Sequence, residues 1–425
     1  MTEKFKEIKR FLPGLELCMK CGFCQYWCPI YQEVRTEGAS SRGKNVLIRQ
    51  LIQGNLGFTN ELAIKINQCT LCMACTENCP AKSQTPLAII AARADFTAVR
   101  GIKFPFNIVY RYLLPRRRLF GTILRMASRF QFLFMPKTKG TIRHLAFFLS
   151  ALGKGRQIPS IAPKFLRQMI PEINLPSVEK DTGIKVGYFT GCMTDYVFPD
   201  LGKHIVEFLN RHGVTVYVPR KQVCCGAPVF LGAGDFATGR KIADINASAF
   251  EEVDYIITDC ATCASAIKSY TQFLADSPER TATYDKFAAK VKDISEFLVD
   301  ILKLPAEDYH PMPEIQGKTI TWHDPCHLCR YMGVRSQPRK ILRSIPEIKF
   351  VEMPNADRCC GMAGVFSINY YELSSKIADK KIASIQSVDA DIVATGCPGC
   401  QIQLTDGAIR NKTNIEVKHL MELIE

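Results

Sequence analysis

Nowhere in the 425 residues do eighteen apolar side chains run together, so no segment suits a membrane-spanning helix. The N-terminal MTEKFKEIKRFLPG is charged but has no apolar core, which argues against a secretory leader and for a cytoplasmic protein. Between Phe96 and Pro171 there is no Asp or Glu, yet 15 Lys or Arg fall there. That leaves 40 basic against 41 acidic residues elsewhere, so the net charge of +14 belongs to one stretch. No G-x-G-x-x-G opens a βαβ unit; GAGDFATG at 232–239 has the wrong spacing and follows a Cys-Cys-Gly. A Walker loop and a serine or cysteine triad are missing too. With no flavin or NAD site expected on this chain, hydride removal from an organic substrate is not expected of it.

Cysteine, by contrast, is abundant: 19 residues in a chain expected to stay in a reducing compartment, where clustered thiols point to metal before disulfides. CMKCGFCQYWCP (18–29) and CTLCMACTENCP (69–80) both follow C-x₂-C-x₂-C-x₃-C-P, the pattern of paired 4Fe–4S clusters. The short gaps let three thiolates converge on one cube, and the chain turns away at the proline. Because the fourth cysteine of each such run ligates the other cluster, Cys18, Cys21, Cys24 and Cys79 are expected at one centre. Cys69, Cys72, Cys75 and Cys28 are expected at the other. Zinc also accepts four thiolates, though usually from paired C-x₂-C elements, and the doubled spacing disfavours it. Helical periodicity in GKNVLIRQLIQGNL, NELAIKINQ and TPLAIIAARADFTAVR makes residues 1–100 an all-helical two-cluster, ferredoxin-like domain.

From 181 onward, short apolar strands alternate with helical stretches, and the pattern occurs twice. IKVGYFTG ends at Cys192, VTVYVP leads to Cys224-Cys225-Gly226, and YIITDC leads to Cys260 and Cys263. KTITWHDPC, IKFVEMP and ADIVATGC likewise lead to Cys326, to Cys359-Cys360-Gly361, and to Cys397 and Cys400. Equivalent cysteines lie 134, 135 and 137 residues apart, which marks a duplicated α/β unit with parallel strands. The fold class is therefore α+β multidomain. Expected boundaries are 1–100, a basic amphipathic helical connector at 101–180, a first unit at 181–275, a linker at 276–316 and a second unit at 317–425.

Each five-cysteine set sits where strands give way to loops, the place where open parallel sheets hold ligands. Five thiols exceed the needs of one cubane, so one thiolate can bridge two irons or take part in chemistry. A vicinal disulfide and plain burial are the competing readings, and the exact repetition counts against both. Cys329 is left over as a spare. His323 and His327 flank Cys326; imidazole binds iron, but a packed or hydrogen-bonded role is the expectation for both.

These cysteine units resemble the CCG domain of heterodisulfide reductase catalytic subunits. The same domain occurs in the iron–sulfur subunits of glycolate, D-lactate and glycerol-3-phosphate dehydrogenases. SSRGKNVLIRQLIQG, YRYLLPRRRLFGTILR and GCPGCQIQLTDG look most similar to the glycolate oxidase iron–sulfur subunit. The resemblance implies an electron-transfer subunit, inactive without a partner FAD-containing 2-hydroxy-acid dehydrogenase or electron-transfer flavoprotein, that delivers electrons to a quinone or another acceptor. It also implies one or two further clusters, of cubane or non-cubane 4Fe–4S type, in the CCG units. Both sets here are complete, whereas glycolate-type members often look less complete in the second. That departure keeps open an alternative, a disulfide reductase acting at a CCG-bound non-cubane cluster. Arg interleaved with apolar residues over 100–170 suits a peripheral contact with the inner membrane face or an acidic partner surface. Nucleic acid is not expected, because no recognition fold accompanies the charge.

Overall fold

A computed structural model of the chain describes residues 5–134, 137–138, 141–143, 157–178 and 182–425. From 5 to 134 the secondary structure is helical throughout. Helix α1 (Ser41–Ile52) starts where the Ser40 hydroxyl accepts a hydrogen bond from the Gly43 amide at 2.9 Å, satisfying one orphan donor of the first turn. Helix α2 (Thr85–Arg100) has Pro86 near its start and is buried on all sides from Thr85 to Phe96, as its apolar run predicts. It is the pillar on which the two cysteine runs lean. Helix α3 (Arg117–Phe134) follows in the basic stretch, and the part of that stretch over 144–156 lies outside the described residues.

Past residue 134 the described residues first form a small antiparallel sheet of Lys137–Thr138, Thr141–Arg143 and Gln157–Pro159. The connector expected to be helical over 101–180 is thus helical mainly in its first part. The remainder is built on two larger sheets. The first comprises β1 (Ile173–Asn174), β2 (Lys185–Tyr188), β3 (Thr215–Tyr217), β4 (Tyr255–Thr258) and β5 (Val291–Asp293), in the order β1-β3-β2-β4-β5. All neighbours are parallel except β1, which runs antiparallel to β3. The second comprises β6 (Thr319–His323), β7 (Lys349–Phe350), β8 (Ile392–Thr395) and β9 (Glu416–His419), parallel throughout in the order β7-β6-β8-β9. Leaving β1 aside, the two orders are the same, so the duplication read from the cysteines is a duplication of topology. Helices α4 (Pro199–Arg211), α5 (Phe236–Ala249) and α6 (Ala261–Lys268) connect the first sheet; α8 (Tyr371–Gln386) and α9 (Pro398–Arg410) occupy matching places in the second. Central strands such as β8 are buried at every residue, which is why they read as unbroken apolar runs.

Residues 276–316 do more than join the units. They supply helix α7 (Pro278–Lys290) and the edge strand β5, whose sequence VKD carries little apolar signal. Asp293, at the end of β5, is buried, and burial pushes its carboxyl from 3.8 up to about 7. The folded state therefore holds a proton that the unfolded chain releases, and stability falls as pH rises through the interval between those values. Asp293→Asn removes that loss. It should stabilise the chain by on the order of 3 kcal/mol near pH 8, with the gain shrinking toward pH 4 in denaturant melts.

Candidate iron–sulfur relay

The sequence SSRGKNV explains how the first two cysteine groups are held. Gly43 allows the start of α1 to press on the preceding loop; a Cβ there would lie 1.9 Å from the Glu37 carbonyl oxygen. That approach inserts the first turn of α1 between the two groups. On one side Ser41 and Arg42 line a cleft together with Cys18, Cys21, Cys24, Cys79 and also Cys75. The Arg42 amide donates to Cys24, and its guanidinium pairs with Glu37 at 2.7 Å and reaches the Lys20 carbonyl at 2.9 Å. On the other side Cys28 lies beside Cys69 and Cys72, and Cys75 adjoins all three. Burial pushes the Cys28 thiol up to about 11, opposed by the ammonium of Lys44. Lys44 is itself buried, donates to the Ala39 carbonyl at 2.5 Å, and faces Cys69, Cys28 and Cys75. Arg93 of α2 donates to the Cys69 carbonyl at 2.8 Å and to the Leu231 carbonyl at 3.0 Å, tying this group to the first sheet. Gly234, with φ +74°, lets the 232–239 loop touch the α2 backbone, so this glycine serves packing.

In the sheets, the thiols form two strings with the same order. Cys192 meets Cys224, then Cys225, Cys263 and Cys260; Cys326 meets Cys359, then Cys360, Cys400 and Cys397. The Cys360 and Cys400 sulfurs are 3.4 Å apart. The strings meet at equivalent members, with Cys260 and Cys397 sulfurs 4.0 Å apart, and Cys72 joins the far end through Cys359. Neighbouring thiols donate to Cys225, Cys360 and Cys397 and hold these three well below the ordinary thiol value. Thiolates are the metal-binding form, so the donor set suits iron and sulfide. Gly226 and Gly361 donate backbone N–H groups to Cys224 and Cys359, both at 3.4 Å. The fit of cysteine number, convergence and charge is to iron–sulfur centres.

A cysteine-rich domain model (CCG) matches residues 186–268 and 320–405, and a 4Fe-4S dicluster domain model matches 14–83. Lactate utilization protein A of Halalkalibacterium halodurans is 30% identical over 241 residues, covering 57% of this chain and 96% of that protein. The chain belongs to the CCG family of iron–sulfur oxidoreductase subunits. It is also 29% identical, over 96% of its length and 92% of the relative's, to the probable glycolate oxidase iron-sulfur subunit of Bacillus subtilis. A hypothetical protein from Helicobacter pylori shares the fold at a TM-score of 0.50 and 8% identity, over 99% of this chain and 71% of that one.

Several residues that matter to this CCG protein carry no motif. The sequence singles out none of Lys44, Arg42 and Arg93; the one available signal is that Arg42 and Lys44 fall within SRGKNV, between the two cysteine runs. Arg330 is nearly buried, pairing with Glu77 at 2.6 Å and Asp357 at 2.7 Å, while the Tyr331 hydroxyl donates to the Leu71 carbonyl at 2.9 Å. Together they clamp the second cysteine run onto the second CCG unit. The basic stretch is not one solvated surface: Arg117 is buried against Asp195 at 2.9 Å, and Arg167 meets the same carboxylate at 3.0 Å. His327 is the hydrogen-bonded residue expected, with Nδ1 2.6 Å from the Ser265 hydroxyl and its ring stacked on Tyr331. His323 is the packed residue expected, wholly buried, with neither ring nitrogen in full hydrogen-bond geometry among the described residues. Cys329 stands outside the strings, buried and pushed up to about 12.

Proposed function

We propose that this chain is a one-electron relay linking a flavoprotein 2-hydroxy-acid dehydrogenase of the glycolate or D-lactate type to a quinone or another acceptor. The observation that carries the reading is the unbroken succession of cysteine groups. Cys18, Cys21, Cys24 and Cys79 hold a first 4Fe–4S cluster, and Cys28, Cys69, Cys72 and Cys75 a second. Cys326, Cys359, Cys360, Cys397 and Cys400 come next, followed by Cys260, Cys263, Cys225, Cys224 and Cys192. Iron–sulfur centres supply reversible one-electron storage. The protein's part is to hold them in sequence, to exclude water from all but the first, and to set their potentials with buried charges.

Exposure at the two ends supports a direction. Cys21 is exposed, and Leu17, Met19, Phe23 and Tyr26 around it are exposed apolar side chains, suited to a transient redox partner. At the opposite end Arg117, the first residue of α3, reaches the Thr190 carbonyl close to Cys192. The same helix exposes Leu119, Ile123, Met126 and Phe130 at helical spacing, with Arg118 just before them and Arg125 and Arg129 between them. We place the membrane-surface contact there; among the described residues no helix is long and apolar enough to cross a membrane. The completeness of both five-cysteine strings also favours, as a second reading, a disulfide reductase working at a CCG centre.

One experiment separates the two. Anaerobic protein mixed with a flavin-containing dehydrogenase should bleach when glycolate or D-lactate is added, and recolour with a quinone analogue. Recolouring by a disulfide, with the quinone analogue inert, would instead favour the reductase.

A further inference from the structure

The duplication allows the two CCG sites to be compared position by position. KVGYFTGC (185–192) aligns with TITWHDPC (319–326), which sets Phe189 of the first unit against His323 of the second. KIADIN (241–246) aligns with KIADKK (376–381), which sets Asn246 against Lys381. Phe189 is wholly buried and packs against Phe250 with ring centroids 5.7 Å apart. His323 is wholly buried in the matching place; its ring lies near the Ala356 carbonyl, but among the described residues neither Nδ1 nor Nε2 meets a partner with full hydrogen-bond geometry. Leaving a buried polar group unpaired costs roughly 1–3 kcal/mol, so a ring there without a purpose would be better replaced by the phenylalanine its twin carries.

What the imidazole does face is sulfur. One of its nitrogens and the sulfurs of Cys360 and Cys400 all lie within 4.8 Å of one another. A neutral imidazole keeps a free lone pair on one nitrogen. Two thiols and an imidazole converging in a dry site form a donor set that iron accepts.

We propose that His323 is a nitrogen ligand to iron at Cys360 and Cys400, making the second CCG centre mixed in its ligands where the first is all-sulfur. This rests on the reading that the second unit holds an iron–sulfur centre. A neutral imidazole taking an iron position that a thiolate would otherwise fill leaves less negative charge on the centre and raises its potential. Lys381, which donates to the Asn355 carbonyl at 2.5 Å where Asn246 sits in the first unit, acts in the same direction. The second centre is thereby set as the electron sink between the ferredoxin-like clusters and the first CCG centre.

The test uses the full chain, isolated anaerobically from cells fed ¹⁵N-histidine, and pulsed EPR of the signal that Cys360→Ser abolishes. The expected result is a strong nitrogen coupling on that signal that changes with the isotope, disappears in His323→Phe, and is accompanied there by a lower midpoint potential. The wild-type isotope comparison stands even if His323→Phe fails to fold. A Cys360-dependent signal with no isotope-sensitive coupling would overturn the ligand assignment and leave the iron reading intact. Absence of any Cys360-dependent iron signal would overturn both.

Discussion

A chain carrying Cys72→Ser and Cys75→Ser should lose about four iron atoms and pass electrons to a terminal acceptor at least roughly 100-fold more slowly. The magnitude follows from where these thiols stand. Cys75 adjoins Cys28, Cys69 and Cys72, while Cys72 also touches Cys359, packed with Cys326 against Trp27. Removing the pair opens the relay between the ferredoxin-like part and the second CCG unit. The first proposed cluster keeps all four of its proposed ligands, Cys18, Cys21, Cys24 and Cys79, although Cys75 also lines their cleft. The variant should therefore still be partly bleached by reduced flavoprotein, while reoxidation by the acceptor nearly stops. Stopped-flow absorbance reads both phases. Unchanged reoxidation would mean that electrons do not travel through this group.

The second large effect concerns charge alone. Lys44→Met should lower the midpoint potential of the cluster proposed for Cys28, Cys69, Cys72 and Cys75 by roughly 80 mV. A buried ammonium beside an anionic centre stabilises its reduced form more than its oxidised form. At an effective dielectric near 20, one charge several ångströms away is worth about 2 kcal/mol, which for one electron is about 80 mV. Methionine keeps most of the side chain's volume, so the packing around α1 is largely retained. The hydrogen bond to the Ala39 carbonyl is lost, which should cost roughly 1 kcal/mol of stability. Redox-monitored EPR of the wild type and the variant decides it; coincident potentials would remove Lys44 from any tuning role.

Much of this was open to reading in the sequence, for identifiable reasons. Metal-binding runs are local, so their gaps could be counted without knowing the fold. The central strands β2, β4, β6 and β8 are largely buried on both faces and rich in β-branched and aromatic residues, a signal that can be read without the fold. The edges were hidden. β1, β5 and β9 are two to four residues long and carry IN, VKD and EVKH, which alternate too briefly to register. The meeting of Cys72 with Cys359 and of Cys260 with Cys397 joins residues far apart in sequence and is set by tertiary packing. Lys44 and Arg93 carried no signal for a different reason. Charged residues are usually solvated, and only the fold places them against buried cysteine groups whose anionic centres offset the cost of burying them. His323 is packed as expected, and only the fold shows that the Cys360 and Cys400 sulfurs lie beside its ring.

The central claim is that convergent sulfurs in this chain hold iron and sulfide in an ordered series. Iron and acid-labile sulfide, measured together per chain on anaerobically isolated protein, test it most directly. Roughly twelve or more of each are expected, from at least three four-iron centres, in a brown protein. A colourless protein with stoichiometric zinc and no labile sulfide would contradict it.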